Sequence, residues 1–147
     1  MRLSKKAEYA LRAVVAMGRH GHARPLQIQE LSEGERIPVK FLEQILLDLK
    51  KSDLLRSKRG AGGGYQLNKP AAEITLAAII EQIDGPFVPL TCAEPAPAGR
   101  CGCGQALPCG LGAVFGELQG DVAAYLQSHT IADVLTREVG ALHSFDI

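Results

Sequence analysis

The sequence predicts a mainly α-helical fold with one small β-hairpin and a long helix near the C-terminus. Three observations lead to this class. Apolar residues recur at steps of three and four through most of the chain, which is the period of an amphipathic helix. A glycine-rich run at 58–64 separates two short segments with strand character. All the cysteines lie within 92–109, a stretch rich in Pro and Gly that shows neither helical nor strand periodicity.

The chain begins with two helices. Ser4 can cap a helix that runs to about residue 20, because its apolar positions keep helical spacing. A short helix over about 27–32 follows, and we expect Gly34 to end it.

A third helix begins near Pro38, a residue favoured in the first helical turn, and runs to about Ser52. The spacing predicts a buried face made of Phe41, Leu42, Ile45, Leu46 and Leu49. The same spacing places on the exposed face Lys40, Glu43, Gln44 and Lys50. Two short helices joined by a tight turn, the second with polar groups outward, match a helix-turn-helix.

A β-hairpin is predicted next, with one strand over 54–57 and its return over 65–67. The connection contains Lys58, Arg59 and a run of glycines, which permits positive φ and close approach of the backbone to a ligand. After a helix-turn-helix, such a hairpin predicts a wing. The alternative, a phosphate-binding loop of a nucleotide enzyme, is disfavoured because the run does not match G-x-x-x-x-G-K-[ST].

The remaining segments predict helices over about 75–84, 111–128 and 131–138. Dimerisation through the long helix at about 111–128 is favoured, because helix-turn-helix proteins usually occupy two half-sites. We therefore expect a winged helix-turn-helix domain over 1–85 and a cysteine-rich loop over 86–110. A dimerisation helix and a capping helix over 111–138 and a tail over 139–147 complete the division.

Charge is segregated although the formal net charge is zero. Residues 1–69 carry 14 Lys and Arg against 7 Asp and Glu, whereas residues 70–147 carry 2 against 9. A basic half of this kind favours a polyanionic partner, and double-stranded DNA is the first candidate. No signal peptide and no apolar run long enough to span a bilayer is recognisable, so we expect a cytoplasmic protein without a membrane partner.

The cysteines Cys92, Cys101, Cys103 and Cys109 form one group of soft ligands. In a reducing compartment such a group favours metal binding over disulfides, and an iron–sulfur cluster is the leading candidate. Zinc is the alternative, although Cys101-Gly-Cys103 is tighter than the usual C-x₂₋₄-C spacing. A thiol switch without a metal is the third possibility. A small iron–sulfur electron carrier would leave the basic half unexplained, and no catalytic constellation is recognisable, so the sequence predicts no enzyme.

The segments at 59–67 (RGAGGGYQL), 41–45 (FLEQI) and 1–4 (MRLS) resemble the Rrf2 family of bacterial transcription regulators, over about residues 1–138. The resemblance implies a winged-helix homodimer that binds a palindromic operator, with a long dimerisation helix beside a cluster loop. Some members carry no cluster. The family includes iron–sulfur regulators and nitric-oxide sensors, so the expected function is a repressor that senses redox state, nitric oxide or iron–sulfur status.

By the same resemblance, recognition-helix residues Lys40, Glu43 and Gln44 face the major groove, where Glu can accept from cytosine N4 and Gln can bond adenine N6/N7. The wing tip at Arg59, Gly60 and Ala61 enters the minor groove, which attracts Arg where it is narrow. Phosphate contacts are implied for Ser4, Lys5, Tyr9, Lys50 and Ser57.

The ligand set stays open between two alternatives. Cluster-bearing relatives offer three cysteines, matched here by Cys92, Cys103 and Cys109, so Cys101 is additional. The fourth ligand is either Cys101 or a carboxylate from the partner subunit at the position of Glu8. One relative completes its cluster with a His that follows the last cysteine, but Gly112 stands at the matching position here. The cluster is expected to contain two or four irons.

Overall fold

A computed structural model of the protein describes residues 2–93 and 109–144. The described residues form a mainly α-helical fold with one antiparallel β-hairpin, as predicted. The helices are α1 Lys5–His20, α2 Ile28–Glu35, α3 Val39–Lys51, α4 Leu76–Asp84, α5 Gly110–Ser128 and α6 Ile131–Ser144. The strands are β1 Leu55–Lys58 and β2 Gly64–Leu67. The predicted positions of Cys101 and Cys103 lie outside the described residues.

The core lies where α1, α3 and α4 meet, and it is built from the apolar stripes that the sequence shows. On α3, the side chains of Leu42, Ile45, Leu46 and Leu49 are fully buried. Small residues of α1 (Ala7, Ala10 and Ala13) are also fully buried, which lets the helices approach closely. Each fully buried Leu or Ile contributes about 1.5–3 kcal/mol relative to an exposed one, so this face of α3 fixes the orientation of its polar opposite face.

The hairpin is attached to the helical domain by a bridge before α2. The register pairs Leu55 with Leu67 and Lys58 with Gly64. Leu26 then pairs with Tyr65, each amide donating to the other's carbonyl at 2.8 Å. Gly64 has a φ of 145°, and a β-carbon there would overlap the carbonyl of Leu26. The wing is therefore held beside the start of α2.

The C-terminal helix α6 packs back on α1. Its start is fixed by a short bridge in which the amide of Ile131 donates to the carbonyl of Ile74 at 2.9 Å. Arg19 of α1 makes a bidentate pair with Glu138 of α6, with N–O distances of 2.8 and 2.9 Å. The hydrogen bonds to Glu138 and a second ion pair to Glu35 raise the pKa of Arg19, and the hydrogen bond from Arg19 lowers the pKa of Glu138. Thus α1 connects the end of α2 to α6.

Three expectations of the sequence are wrong. Gly34 does not end α2, which continues to Glu35 and stops where Arg36 adopts a left-handed conformation with φ 53°. Helix interiors tolerate one Gly at a cost of about 1 kcal/mol. Helix α6 continues past residue 138 to Ser144, since no proline intervenes and the single Gly140 is likewise tolerated. Phe41 is 46% exposed instead of buried, because one residue's rotation separates it from the buried face at Leu42.

Candidate nucleic-acid interface and cysteine site

The outward face of α3 presents the three side chains expected to face the major groove. Lys40, Glu43 and Gln44 are all exposed. Gln44 Nε2 donates to Asp48 Oδ1 at 3.2 Å, and the same carboxylate accepts from Lys6 Nζ at 2.7 Å. The hydrogen bond from Lys6 is the main cause that lowers the pKa of Asp48. Lys6 therefore ties α1 to the helix that carries the polar face.

A cleft of about 390 Å³ lies between the wing and the helix-turn-helix. Lys50, Lys58 and Arg59 line it together with the uncharged Ser57 and Gln29. Lys50 Nζ donates to Ser57 Oγ at 2.6 Å, so these two predicted phosphate contacts are adjacent. Arg59, Gly60 and Ala61 are exposed at the hairpin tip. A concave surface with three cations and no acidic lining residue suits a phosphate backbone.

Lys58 and Gln29 also line this cleft, although neither is among the residues predicted to contact DNA. Gln29 lies in the first turn of α2, and the bridge between Leu26 and Tyr65 places that turn beside the wing. A pairing between residues so far apart in the chain has no local sequence signal. Lys58 could have been included from its position next to Arg59 at the base of the hairpin.

The remaining predicted phosphate contacts lie at the start of α1. Ser4 is the N-cap, and its hydroxyl accepts from the amide of Ala7 at 3.0 Å. Its backbone amide donates to Asp84 Oδ2 at 2.9 Å and its hydroxyl donates to Asp84 Oδ1. Both donors of Ser4 are thus engaged, so a phosphate would have to replace the Asp84 carboxylate there. The structure gives Ser4 a capping and tethering role.

Tyr9 lies between two cations and an aromatic ring. Lys5 Nζ is 5.1 Å from the ring centroid, and the Arg12 guanidinium is 5.8 Å from it. The ring of Phe41 meets Tyr9 edge-on, with centroids 5.9 Å apart. Lys5 also forms an exposed ion pair with Glu8 at 2.7 Å, and this hydrogen bond lowers the pKa of Glu8. Tyr9 therefore helps to join α1 to α3.

Two of the four cysteines fall in the described residues, and the fold brings them together. Cys92 lies in the short 3₁₀ turn Thr91–Ala93, and Cys109 is the N-cap of α5. The amide of Gly112 donates to Cys109 Sγ at 3.4 Å. A β-carbon on Gly112 would lie 2.6 Å from the carbonyl oxygen of Cys92 and 3.7 Å from the β-carbon of Cys109. The backbone of Cys92 and the side chain of Cys109 are therefore both held against the first turn of α5.

The donor set fits a soft metal or cluster in part. Cys92 and Cys109 are half-buried, unbridged thiols, and sulfur is the ligand type that such metals prefer. Within residues 2–93 and 109–144, no group of three His, Cys, Asp or Glu side chains is close enough to hold a metal. Position 112 has no space for a larger side chain, so a His ligand there is excluded by this backbone.

Helices α5 and α6 expose an apolar surface. The large side chains on it are Leu111, Val114 and Tyr125 of α5 and Val139 and Leu142 of α6, each more than half exposed. Helix α5 buries none of its residues within the chain. Large apolar side chains exposed to this extent on a helix suit a contact with another protein surface. In the part of the chain described, no helix is long and apolar enough to cross a membrane.

Comparison with known proteins decides the family. The family model of Rrf2, described as an iron-dependent transcriptional regulator, matches residues 3–137. The chain belongs to the Rrf2 family. An rrf2-like HTH-type transcriptional regulator of Rhodobacter capsulatus is 32% identical over 137 residues, covering 90% of this chain and 91% of that protein. The HTH-type transcriptional regulator IscR of Serratia proteamaculans is 30% identical, covering 94% of this chain and 81% of the relative.

A solved structure has the same fold. CymR, described as the global cysteine regulator of B. subtilis, superposes with a TM-score of 0.77 at 23% identity, covering 93% of this chain and 98% of that one. At that identity the likeness concerns the fold alone. The predicted family and the predicted winged-helix fold are confirmed, and the chain is a transcriptional regulator of the Rrf2 type.

Proposed function

We propose that this Rrf2 protein is a cytoplasmic, homodimeric repressor that binds a palindromic operator with an affinity set by an iron–sulfur cluster on its cysteine segment. The observation that carries the proposal is the convergence of Cys92 and Cys109 on the first turn of α5. The same helix exposes apolar side chains suited to a subunit contact, including Leu111 and Val114. A ligand held at this turn would therefore act next to the dimer contact.

The DNA-binding part of the proposal rests on charge and shape. The outward polar face of α3 and the three-cation cleft beside the wing lie in the half of the chain that carries 14 of its 16 Lys and Arg residues. In this arrangement Glu43 and Gln44 would contact base edges, and Lys50 and Ser57 would contact phosphates. Arg59 would enter the minor groove with the wing tip.

In the cluster, Cys92 and Cys109 would supply two thiolates and Cys103 a third. Cys101 or the partner subunit's Glu8 would supply the fourth ligand. When bound, the cluster supplies a centre that changes on oxidation or on reaction with nitric oxide. The protein's own part is to position Cys92 through the carbonyl contact at Gly112 and Cys109 through its capping bond, so that a change at the sulfurs shifts the first turn of α5.

A thiol switch is the second candidate, and the proximity of the same two cysteines favours it. Both are free thiols beside one helix terminus, where oxidation could join them without a metal. Zinc is the third candidate, and it would require the same sulfurs as ligands. All three alternatives keep the same DNA-binding domain.

Anaerobic purification followed by absorption spectroscopy and iron, sulfide and zinc analysis separates these alternatives. The proposal predicts a coloured protein that loses its visible absorbance in Cys92→Ala and Cys109→Ala. Loss in Cys101→Ala or in Glu8→Ala identifies the fourth ligand, with Glu81→Ala as an exposed acidic control. A colourless, zinc-loaded protein would refute the cluster. A colourless, metal-free protein with a reversible Cys92–Cys109 disulfide would favour the thiol switch instead.

A further inference from the structure

Phe41 is an exposed aromatic residue on a helix face that is otherwise polar at its N-terminal end. It is 46% exposed, and its neighbours Lys40 and Gln44 are both exposed. Water contact with so much of a phenyl ring is unfavourable, so a partner that covers the ring would gain free energy. Proteins that read DNA place the N-terminal residues of the recognition helix against base edges.

The ring is held in one orientation by its surroundings. Tyr9 meets it edge-on with an interplanar angle of 84°, and Tyr9 is itself flanked by Lys5 and Arg12. Phe41 forms one wall of a mainly apolar cleft of about 320 Å³, and Lys6, Lys40 and Gln44 complete the lining. Lys6 is fixed in turn by its ion pair with Asp48. The cleft thus combines one aromatic ring with two cationic side chains and one amide.

The chemistry of this cleft matches one feature of the DNA major groove. The only apolar group that base pairs present there is the C5-methyl of thymine, and Phe is among the side chains that contact it. Lys40, which lines the cleft beside the ring, suits the phosphates of the groove by charge. Adenine, the partner of thymine, presents the N6 and N7 atoms that a Gln side chain such as Gln44 can bond.

We propose that Phe41 is a specificity-determining residue that packs against the C5-methyl group of a thymine in each operator half-site, next to the base pair contacted by Gln44. The assignment rests on the proposed function, because it requires α3 to enter the major groove.

The test uses the full-length protein and a duplex obtained by selecting bound fragments from a randomised DNA pool. Each thymine of that duplex is replaced in turn by deoxyuridine, which lacks only the methyl group, and affinity is measured by fluorescence anisotropy at fixed salt. We expect one thymine per half-site whose replacement weakens wild-type binding about fourfold, the ratio that corresponds to one buried methyl-sized group. Phe41→Ala should bind the thymine duplex and the deoxyuridine duplex equally, and Phe41→Tyr should keep the preference for thymine.

Leu47→Ala is the matched control, because Leu47 is 50% exposed on the same helix but does not line the cleft. It should retain the preference for thymine at that position. Equal wild-type affinity for thymine and deoxyuridine at every position would overturn the assignment of Phe41 but not the proposed function. The same conclusion would follow if Leu47→Ala lost the preference for thymine and Phe41→Ala retained it. Failure of the wild type to enrich any sequence would overturn the proposed function and this assignment with it. Thermal melts check that each variant is folded.

Discussion

Ser4 donates both its backbone amide and its hydroxyl to the carboxylate of Asp84. These two hydrogen bonds join the residue that precedes α1 to the last residue of α4. Gly85 and Pro86 follow directly and begin the segment that leads to Cys92. The start of a helix on the DNA-binding domain is therefore connected to the cysteine site through one short segment and one carboxylate.

Replacing Asp84 should weaken this connection. Asp84→Ala removes both acceptors, and we expect the free energy of unfolding to fall by about 1–2 kcal/mol, because solvent weakens exposed hydrogen bonds to a charged group. Urea unfolding measures the change. Glu81→Ala, an exposed acid on the same helix, should be neutral within about 0.5 kcal/mol. Equal effects of the two substitutions would show that the Ser4 contact has no structural role.

The start of α2 should make the protein sensitive to acid. A hydrogen bond from Arg24 and one from the amide of Gln27 lower the pKa of Glu30 from 4.5 to about 2. A carboxyl group whose pKa is lower in the folded than in the unfolded state contributes its full stabilisation when the pH is above the unfolded pKa. This contribution is lost as pH falls from about 4.5 towards 2. Glu30→Gln keeps a capping amide and should flatten the dependence of melting temperature on pH in that window. Glu33→Gln on the same helix is the control, and an identical pH profile for Glu30→Gln and wild type would contradict the argument.

The wing should depend on Gly64. An Ala there would need a φ near 145° and would place its β-carbon against the carbonyl of Leu26. Gly64→Ala should destabilise the protein by roughly 2–4 kcal/mol through strain and overlap, and it should weaken DNA binding because the wing separates from α2. Gly62→Ala meets nothing within 4 Å and should be close to neutral. Calorimetry and anisotropy measure the two effects, and a stable Gly64→Ala that binds DNA normally would rule out the Leu26 bridge.

The cysteine site should depend on Gly112. A β-carbon at this position lies 2.6 Å from the carbonyl oxygen of Cys92, so Gly112→Ala must displace Cys92 from the first turn of α5. We expect incomplete metal loading after anaerobic purification, measured as iron per chain. Gly116→Ala, one turn further along the same helix, meets nothing within 4 Å. It should load normally and gain about 0.5–1 kcal/mol from helix propensity. Equal loading of the two variants would contradict the contact.

The helices were predictable because their signals are local. Ser4 and Thr75 stand where N-caps are expected, and both accept hydrogen bonds from the third residue that follows, at the amides of Ala7 and Ala78. The stripe from Leu42 to Leu49 likewise fixed the buried face of α3. Phe41 was wrongly predicted to be buried because it adjoins that stripe. In the structure its ring lies outside the core and packs against Tyr9.

The features that organise the site were not predictable, since they join distant segments. Leu26 pairs with Tyr65, and Ser4 binds Asp84 across most of the DNA-binding domain. No periodicity or capping rule indicates such partners. The role of Gly112 is a similar case. Sequence shows a small residue there, and only the packed turn shows that the carbonyl of Cys92 occupies the space of its side chain.

The most direct test of the account is the affinity of the selected operator duplex for the same protein with and without its metal centre. Both forms are prepared anaerobically and measured by anisotropy at one fixed salt concentration, because salt alone changes DNA affinity strongly. We predict dissociation constants that differ at least about tenfold, which corresponds to a coupling of about 1.4 kcal/mol. Cys92→Ala should bind like the metal-free form. Equal affinities of the loaded and metal-free wild type would contradict control of DNA binding by the cysteine site.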